Sequence, residues 1–142
     1  MAKQLSVFLQ NEPGKIASIT RALYEKGVDL RALSIADTAD FGILRMLVND
    51  VRLAKNVLDG QHCMVDVTDV VIAAVPDVPG GLNRVLELMA DNGINIEYMY
   101  SLIDRGVNDA YMVFRVDDTE GFISILHENG INTVSGEEIG IY

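Results

Sequence analysis

The stretch "NEPGKIASITRALYEKGVDL" at residues 11–30 is written a second time as "DVPGGLNRVLELMADNGINI" at residues 77–96. Both open on Asn/Asp-x-Pro-Gly, continue with apolar residues three and four apart, and close on Gly-Val/Ile-Asp/Asn. At this offset of 66, Pro13 meets Pro79, Gly14 meets Gly80, Gly27 meets Gly93 and Asp29 meets Asn95. Ile16, Ile19, Leu23, Val28 and Leu30 fall on Leu82, Val85, Met89, Ile94 and Ile96. Upstream, Leu5, Val7 and Leu9 fall on Val71, Ala73 and Val75. Few pairs are identical, but nearly all agree in character, which marks a structural repeat.

Each copy resolves into the same elements. "QLSVFLQ" alternates as a strand does. "NEPG" is turn chemistry: a side-chain cap, a Pro that sets φ and a Gly that permits close backbone approach. Ile16, Ile19 and Leu23 share one helix face, and Lys26-Gly27 closes that helix with a left-handed glycine. "VDLRALSIAD" and "FGILRMLVND" are strands joined by a turn around Thr38–Asp40. "VRLAKNVLDG" is a short helix stopped at Gly60, and "HCMVDVT" is a fourth strand. The second copy repeats this order with "VVIAAVP", a helix over Gly81–Asn92, "INIEYMYSLI", "AYMVFRVDD" and "TEGFISILHENG". The hairpin "DRGVND" is longer than its counterpart and moves the offset to 68, and "INTVSGEEIGIY" carries the last strand or strands. Each half therefore reads β-α-β-β-α-β, with an antiparallel sheet and both helices on one face. The expected division is residues 1–69 and 70–142. Leu5–Leu9 and Val70–Val75 read as apolar toward both faces, and units of this size make small cores. The halves are therefore expected to pair side by side, or with a second chain.

Of 142 residues, 49% are hydrophobic, ample for a core rather than disorder. The net charge of −10 disfavours nucleic-acid partners, since those rest on Lys and Arg against phosphates. The longest apolar run, "VVIAAV", is too short to span a bilayer. The start lacks a signal-peptide core, and Cys63 is the lone cysteine, so a cytoplasmic protein is expected. Cys63 reads as a small core residue, with His62 on the opposite strand face. His62 and His127 lack metal-ligand spacing. No phosphate loop, nucleophile elbow, zinc helix or dinucleotide glycine pattern occurs. No cofactor and no catalytic residue are expected.

A βαββαβ unit with Asn/Asp-x-Pro-Gly-x-Leu/Ile in its first loop and Gly-Val/Ile-Asn/Asp-Ile/Leu after its helix resembles an ACT domain. Here there would be two, carried by "QNEPGKI…KGVDL" and "PDVPGGL…NGINI". The resemblance implies an α+β chain of two ferredoxin-like units. It also implies a regulatory role: a free amino acid bound between paired units, a partner enzyme of amino-acid metabolism, and a homodimer. Carried over residue by residue, the ligand loop is Asn11, Glu12, Pro13, Gly14, Lys15 and Ile16 in the first copy. It is Asp77, Val78, Pro79, Gly80, Gly81 and Leu82 in the second. The adjoining strand of a neighbour would add Asp29 and Leu30, or Asn95 and Ile96. Gly81 would admit ligand bulk where Lys15 supplies charge, so two unlike sites are expected.

Plainer readings stand beside these. Asn11 and Asp77 suit helix caps or turns equally well. Tyr98 and Tyr100 share a strand face and suit a core or interface. Asp117/Asp118 and Glu137/Glu138 read as solvated ends of elements. The alternative function is a ligand-independent dimerisation or docking module, and a small ferredoxin-like enzyme is a third.

Overall fold

The computed structural model describes residues 1–10, 12–37, 41–103 and 108–142. Asn11, the turn at Thr38–Asp40 and most of the 104–109 hairpin lie outside the described residues. In chain order the elements are β1 (Ala2–Gln10), α1 (Lys15–Glu25), β2 (Leu30–Asp37), β3 (Phe41–Val48) and α2 (Val51–Gly60). There follow β4 (Met64–Pro76), α3 (Gly81–Asp91), β5 (Ile96–Ser101), β6 (Asp109–Val116), α4 (Thr119–Glu128) and β7 (Thr133–Val134). A 3-10 turn at Glu137–Ile139 precedes the C-terminus. These form two ferredoxin-like βαββαβ units. Lys3–Thr68 with Gly140–Tyr142 make one compact unit, and Asp69–Ile139 with Met1–Ala2 make the other.

In the first unit the strand order is β2-β3-β1-β4. β1 and β2 both run antiparallel to β3, in a register that sets Leu5 against Met46 and Val7 against Leu44. Ile19 and Leu23 of α1 and Ala54 and Leu58 of α2 close on Leu5, Val7, Leu44 and Met46 as one core. In the second unit β6 lies between β4 and β5, and β7 pairs with the other edge of β4, all antiparallel. Val85, Met89, Phe122 and Leu126 close on Val71, Ala73, Phe114 and Val116. Phe114 and Phe122 meet edge to face, with ring centroids 5.1 Å apart, the geometry aromatic quadrupoles favour. The repeat reaches into irregularities: β2 is bulged between Leu30 and Ala32, and β5 between Ile96 and Tyr98.

Both faces of β1 and of residues 70–75 in β4 are buried, by apolar residues in the latter but partly by polar ones in β1. Opposite Leu5 and Val7, β1 carries buried Gln4 and Ser6, where Gln4 Nε2 donates to Ser6 Oγ at 3.1 Å. β4 buries Val70 and Ile72 on its second face.

Four expectations are corrected. "HCMVDVT" and "VVIAAVP" are not separate strands but one, Met64–Pro76, because no Gly or Pro interrupts residues 64–75. The C-terminal strand shrinks to Thr133–Val134. Ser135 and Glu138 there form a reciprocal cap, Glu138 Oε2 accepting the Ser135 N–H at 2.9 Å and Ser135 Oγ the Glu138 N–H at 3.3 Å, which competes with strand pairing. The acidic pairs are more than solvated ends. Asp118 Oδ1 caps α4 through the Gly121 N–H at 3.0 Å, and Asp117 and Glu138 are equally engaged. Finally, His62 is not on a strand.

The four helices among the described residues end the same way. The N–H groups of Val28, Cys63, Ile94 and Ile131 donate to the carbonyls of Leu23, Leu58, Met89 and Leu126 at 2.9 to 3.1 Å. This closure needs a left-handed residue after the helix. Glycine supplies it at Gly27, Gly93 and Gly130, but at α2 it is His62, with φ 60, rather than Gly60. An L-residue in this region is strained by about 1–2 kcal/mol, partly offset by the smaller unfolded-state entropy of a non-glycine residue. His62→Gly is therefore expected to stabilise the protein by about 0.5–1 kcal/mol, measured by urea titration at unchanged slope.

Candidate functional site

Among the described residues, the two Pro-Gly loops share their backbone hydrogen bonds and their glycine torsions. In the first, the Gln10 carbonyl accepts the Glu12 N–H at 2.9 Å and the Glu12 carbonyl accepts the Lys15 N–H at 3.2 Å. In the second, the Pro76 carbonyl accepts the Val78 N–H at 2.9 Å and the Val78 carbonyl accepts the Gly81 N–H at 3.0 Å. Gly14 (φ 83, ψ −6) and Gly80 (φ 84, ψ −6) occupy the helix N-cap. Both are left-handed, a region that glycine alone enters without cost.

The sequence suggested a side-chain cap here. The N-cap position itself is held by glycine in both loops, so the cap residue of α1 and of α3 makes no side-chain hydrogen bond, and Asn11 lies outside the described residues. The contrast lies within the chain. Asp50 Oδ1 accepts the Leu53 N–H at 3.0 Å at the start of α2, and Asp118 does the same for α4. The first turn of a helix carries N–H donors with no intrahelical acceptor and a partial positive charge. In α2 and α4 the carboxylate of the N-cap residue answers them; in α1 and α3 the N-cap is glycine, which has no side chain to do so.

The named residues divide by exposure. Glu12, Pro13 and Gly14 are exposed, as are Asp77, Val78, Pro79 and Gly80. The Asp77 N–H donates to the Asn108 carbonyl at 3.1 Å, tying the second loop to the approach to β6. Lys15 is half-buried, and Ile16 and Leu82 lean on their units' cores. Gly81 is buried, and a Cβ there would run into the carbonyl oxygen of Pro76. Its glycine is thus required by close approach of α3 to the end of β4, and the space beside it is filled by protein rather than open to ligand.

Asp29 and Asn95 sit elsewhere. Their N–H groups donate to Asn49 Oδ1 at 2.8 Å and Asp117 Oδ1 at 3.0 Å. The Asn49 and Asp117 N–H groups return the bond to the carbonyls of Asp29 and Asn95, at 3.1 and 3.2 Å. This reciprocal clamp joins the start of one strand to the end of its neighbour. Asp29 also faces Arg31 at 3.4 Å, while Leu30 and Ile96 pack on the cores. The 11 residues of α1 span about 16 Å. Loop and second-strand start therefore lie at opposite ends of a helix, and no single unit brings them together. The sequence reading does not single out Asn49 and takes Asp117 for a solvated end; the offset of 68 that pairs them is the available signal. Among the described residues no group of His, Cys, Asp and Glu could hold a metal, and no helix is long and apolar enough to cross a membrane.

A family model described as an ACT domain pair matches residues 1–141. Among solved structures, protein BT0572 from Bacteroides thetaiotaomicron is 39% identical, with 98% of this chain and 95% of that chain covered and a TM-score of 0.89. The ligand-free regulatory subunit of aspartate kinase from Thermus thermophilus is 15% identical, with 89% and 91% covered and a TM-score of 0.63. Its counterpart from Thermus flavus is 14% identical, with 89% and 90% covered and a TM-score of 0.60. At that identity the likeness of the last two is one of fold. No curated protein matches.

Gly81→Ala is expected to destabilise the chain by about 1–3 kcal/mol, since backbone must move to admit the methyl group. Lys15→Ala, at the matching position, should change stability by less than about 0.5 kcal/mol. Denaturant unfolding of both variants measures the difference.

Proposed function

The chain belongs to the ACT domain pair family, and we propose that it is a stand-alone regulatory protein that captures a free amino acid at its Pro-Gly loops and so modulates a partner enzyme of amino-acid metabolism. One observation carries the reading. Of the four described helix starts, the two that follow Pro-Gly loops have glycine at the N-cap, and the two that do not follow them are capped by the side chain of an N-cap aspartate. An amino-acid carboxylate suits a glycine-capped first turn, where N–H donors and the helix dipole favour an anion. Gly14 and Gly80 keep the approach clear of side chains. Asp29 or Asn95 would reach the same ligand only from a second unit, so the reading includes a homodimer. Regulation follows if the ligand binds one arrangement of units more tightly than another, the difference in affinity limiting the shift.

A second reading, a docking module that needs no ligand, is favoured by one feature. β2 is an edge strand of the first unit, and its Leu33 and Ile35 are exposed, an arrangement suited to pairing with another chain.

A thermal-shift panel of the twenty amino acids separates the two. A ligand at a hundred times its Kd should stabilise the protein by about 2.7 kcal/mol. Asn11→Ala with Asp77→Ala should abolish that response. If no amino acid shifts the transition and calorimetry is also silent, the sensor reading fails; a docking module would keep its partner in the double variant.

A further inference from the structure

Each unit has a cavity near the end of the strand that enters its Pro-Gly loop. In the first unit it measures about 330 Å³ and is lined by Phe8, Leu9, Gln10, Phe41 and Met64. Leu5, Val7 and Leu9 belong to the helix-covered core, so the alternation of β1 turns Phe8 and Gln10 to the other side. Phe41 lies directly across from Gln10 in the ladder. In the second unit the cavity measures about 470 Å³, and its lining includes Ala74, Asp109, Tyr111, His127, Asn132 and Glu138. Both volumes lie in the range of small-molecule sites.

The two cavities occupy one place in the repeated fold. Phe8 corresponds to Ala74 at the offset of 66, and Phe41 and Met64 correspond to Asp109 and Asn132 at the offset of 68. The ladders agree, pairing Gln10 with Phe41 and Pro76 with Asp109. Yet these three pairs break the rule that the core pairs obey. Core pairs keep their chemical character because packing demands it; the cavity pairs exchange aromatic and thioether side chains for methyl, carboxylate and amide. The same scaffold forms with either set, so folding does not dictate the residues there.

What lines each cavity then reports on what fills it. In the first, Phe41 is 58% exposed and Met64 71%. Large apolar side chains gathered in the open around one polar group, Gln10, are an unusual surface and suit an apolar occupant. In the second, Asp109 and Glu138 bring carboxylates, and Glu138 also holds the Ser135 N–H at 2.9 Å. His127 Nε2 lies 3.0 Å from Thr133 Oγ1, and Asn132 and Tyr111 add further polar atoms. No Lys or Arg lines it among the described residues, which suits an occupant with N–H donors and positive charge. Each cavity adjoins its loop: Gln10 accepts the Glu12 N–H, and Asn108, next to Asp109, accepts the Asp77 N–H.

We infer that the two units hold amino acids of different side-chain class: aliphatic or aromatic in the first, cationic in the second. This rests on the amino-acid reading above, with the loop taking the carboxylate and the cavity the side chain.

Calorimetric titration tests it, with L-leucine and L-phenylalanine as apolar probes and L-lysine and L-arginine as cationic ones. The wild type should bind at least one of each pair, and the two classes should not displace one another. Phe41→Asp with Met64→Asn installs the second unit's residues in the first. It should weaken the apolar ligand at least tenfold and leave the cationic one unchanged. Asp109→Ala should do the reverse. Phe41 and Met64 are exposed, so folding should survive; Met64→Asp alone serves if the double variant does not fold. Binding of only one class, competition between classes, or affinities unmoved by both variants would overturn the inference while leaving the amino-acid reading intact. Failure of every amino acid to bind removes both.

Discussion

A left-handed glycine at the N-cap of a helix is the constraint from which this structure follows. Gly14 and Gly80 hold almost the same φ and ψ, a backbone in which any Cβ meets the following carbonyl. That geometry carries the chain from the sheet into the helix layer and aims the first helical turn out of the loop. It also removes the side chain that would otherwise answer the turn's N–H donors. Position after position in these loops differs between the copies, as Glu12 and Val78 or Lys15 and Gly81 do. What the two share is Pro, Gly and the path of the main chain.

Other joints follow the same logic. The clamp between residues 29 and 49 recurs between 95 and 117 with a carboxylate in place of an amide. Either oxygen accepts the same N–H, so the change costs no hydrogen bond. The helix ends recur four times with one closure, and only His62 departs from glycine. Cavity-lining positions behave differently, because nothing in the backbone path requires a particular side chain there. A repeated scaffold in this way separates what folding demands from what it leaves open.

Much of the fold was legible before any coordinates. Ile16, Ile19 and Leu23 lie on one helix face, and Leu5, Val7 and Leu9 on one strand face, since a core imposes its period on any sequence that fills it. The Pro-Gly loops were legible too, as turn residues act locally. The continuity of β4 was not: the repeat suggested a boundary where the chain has no breaking residue. The partners of Asp117, Asp118 and Glu138 escaped as well. Asp117 answers a backbone 22 residues away, and a hydroxyl or carboxylate looks the same in sequence whether it is solvated or bonded. The two sets of residues expected at the candidate site sit at opposite ends of the intervening helix within each unit, a separation that the linear sequence does not display.

By itself, then, the sequence determined that this chain is two copies of one βαββαβ unit, each entering its first helix through a Pro-Gly turn, because hydrophobic period and turn chemistry are local and survive without knowledge of neighbours. Only the tertiary structure decided that the N-cap of α1 and of α3 is a left-handed glycine. It alone decided that Gly81 answers a carbonyl of β4 and that Phe8, Phe41 and Met64 line one cavity whose counterpart is lined by Ala74, Asp109 and Asn132. These are contacts between residues distant in sequence, and close packing brings them together through strand register, which no single segment carries.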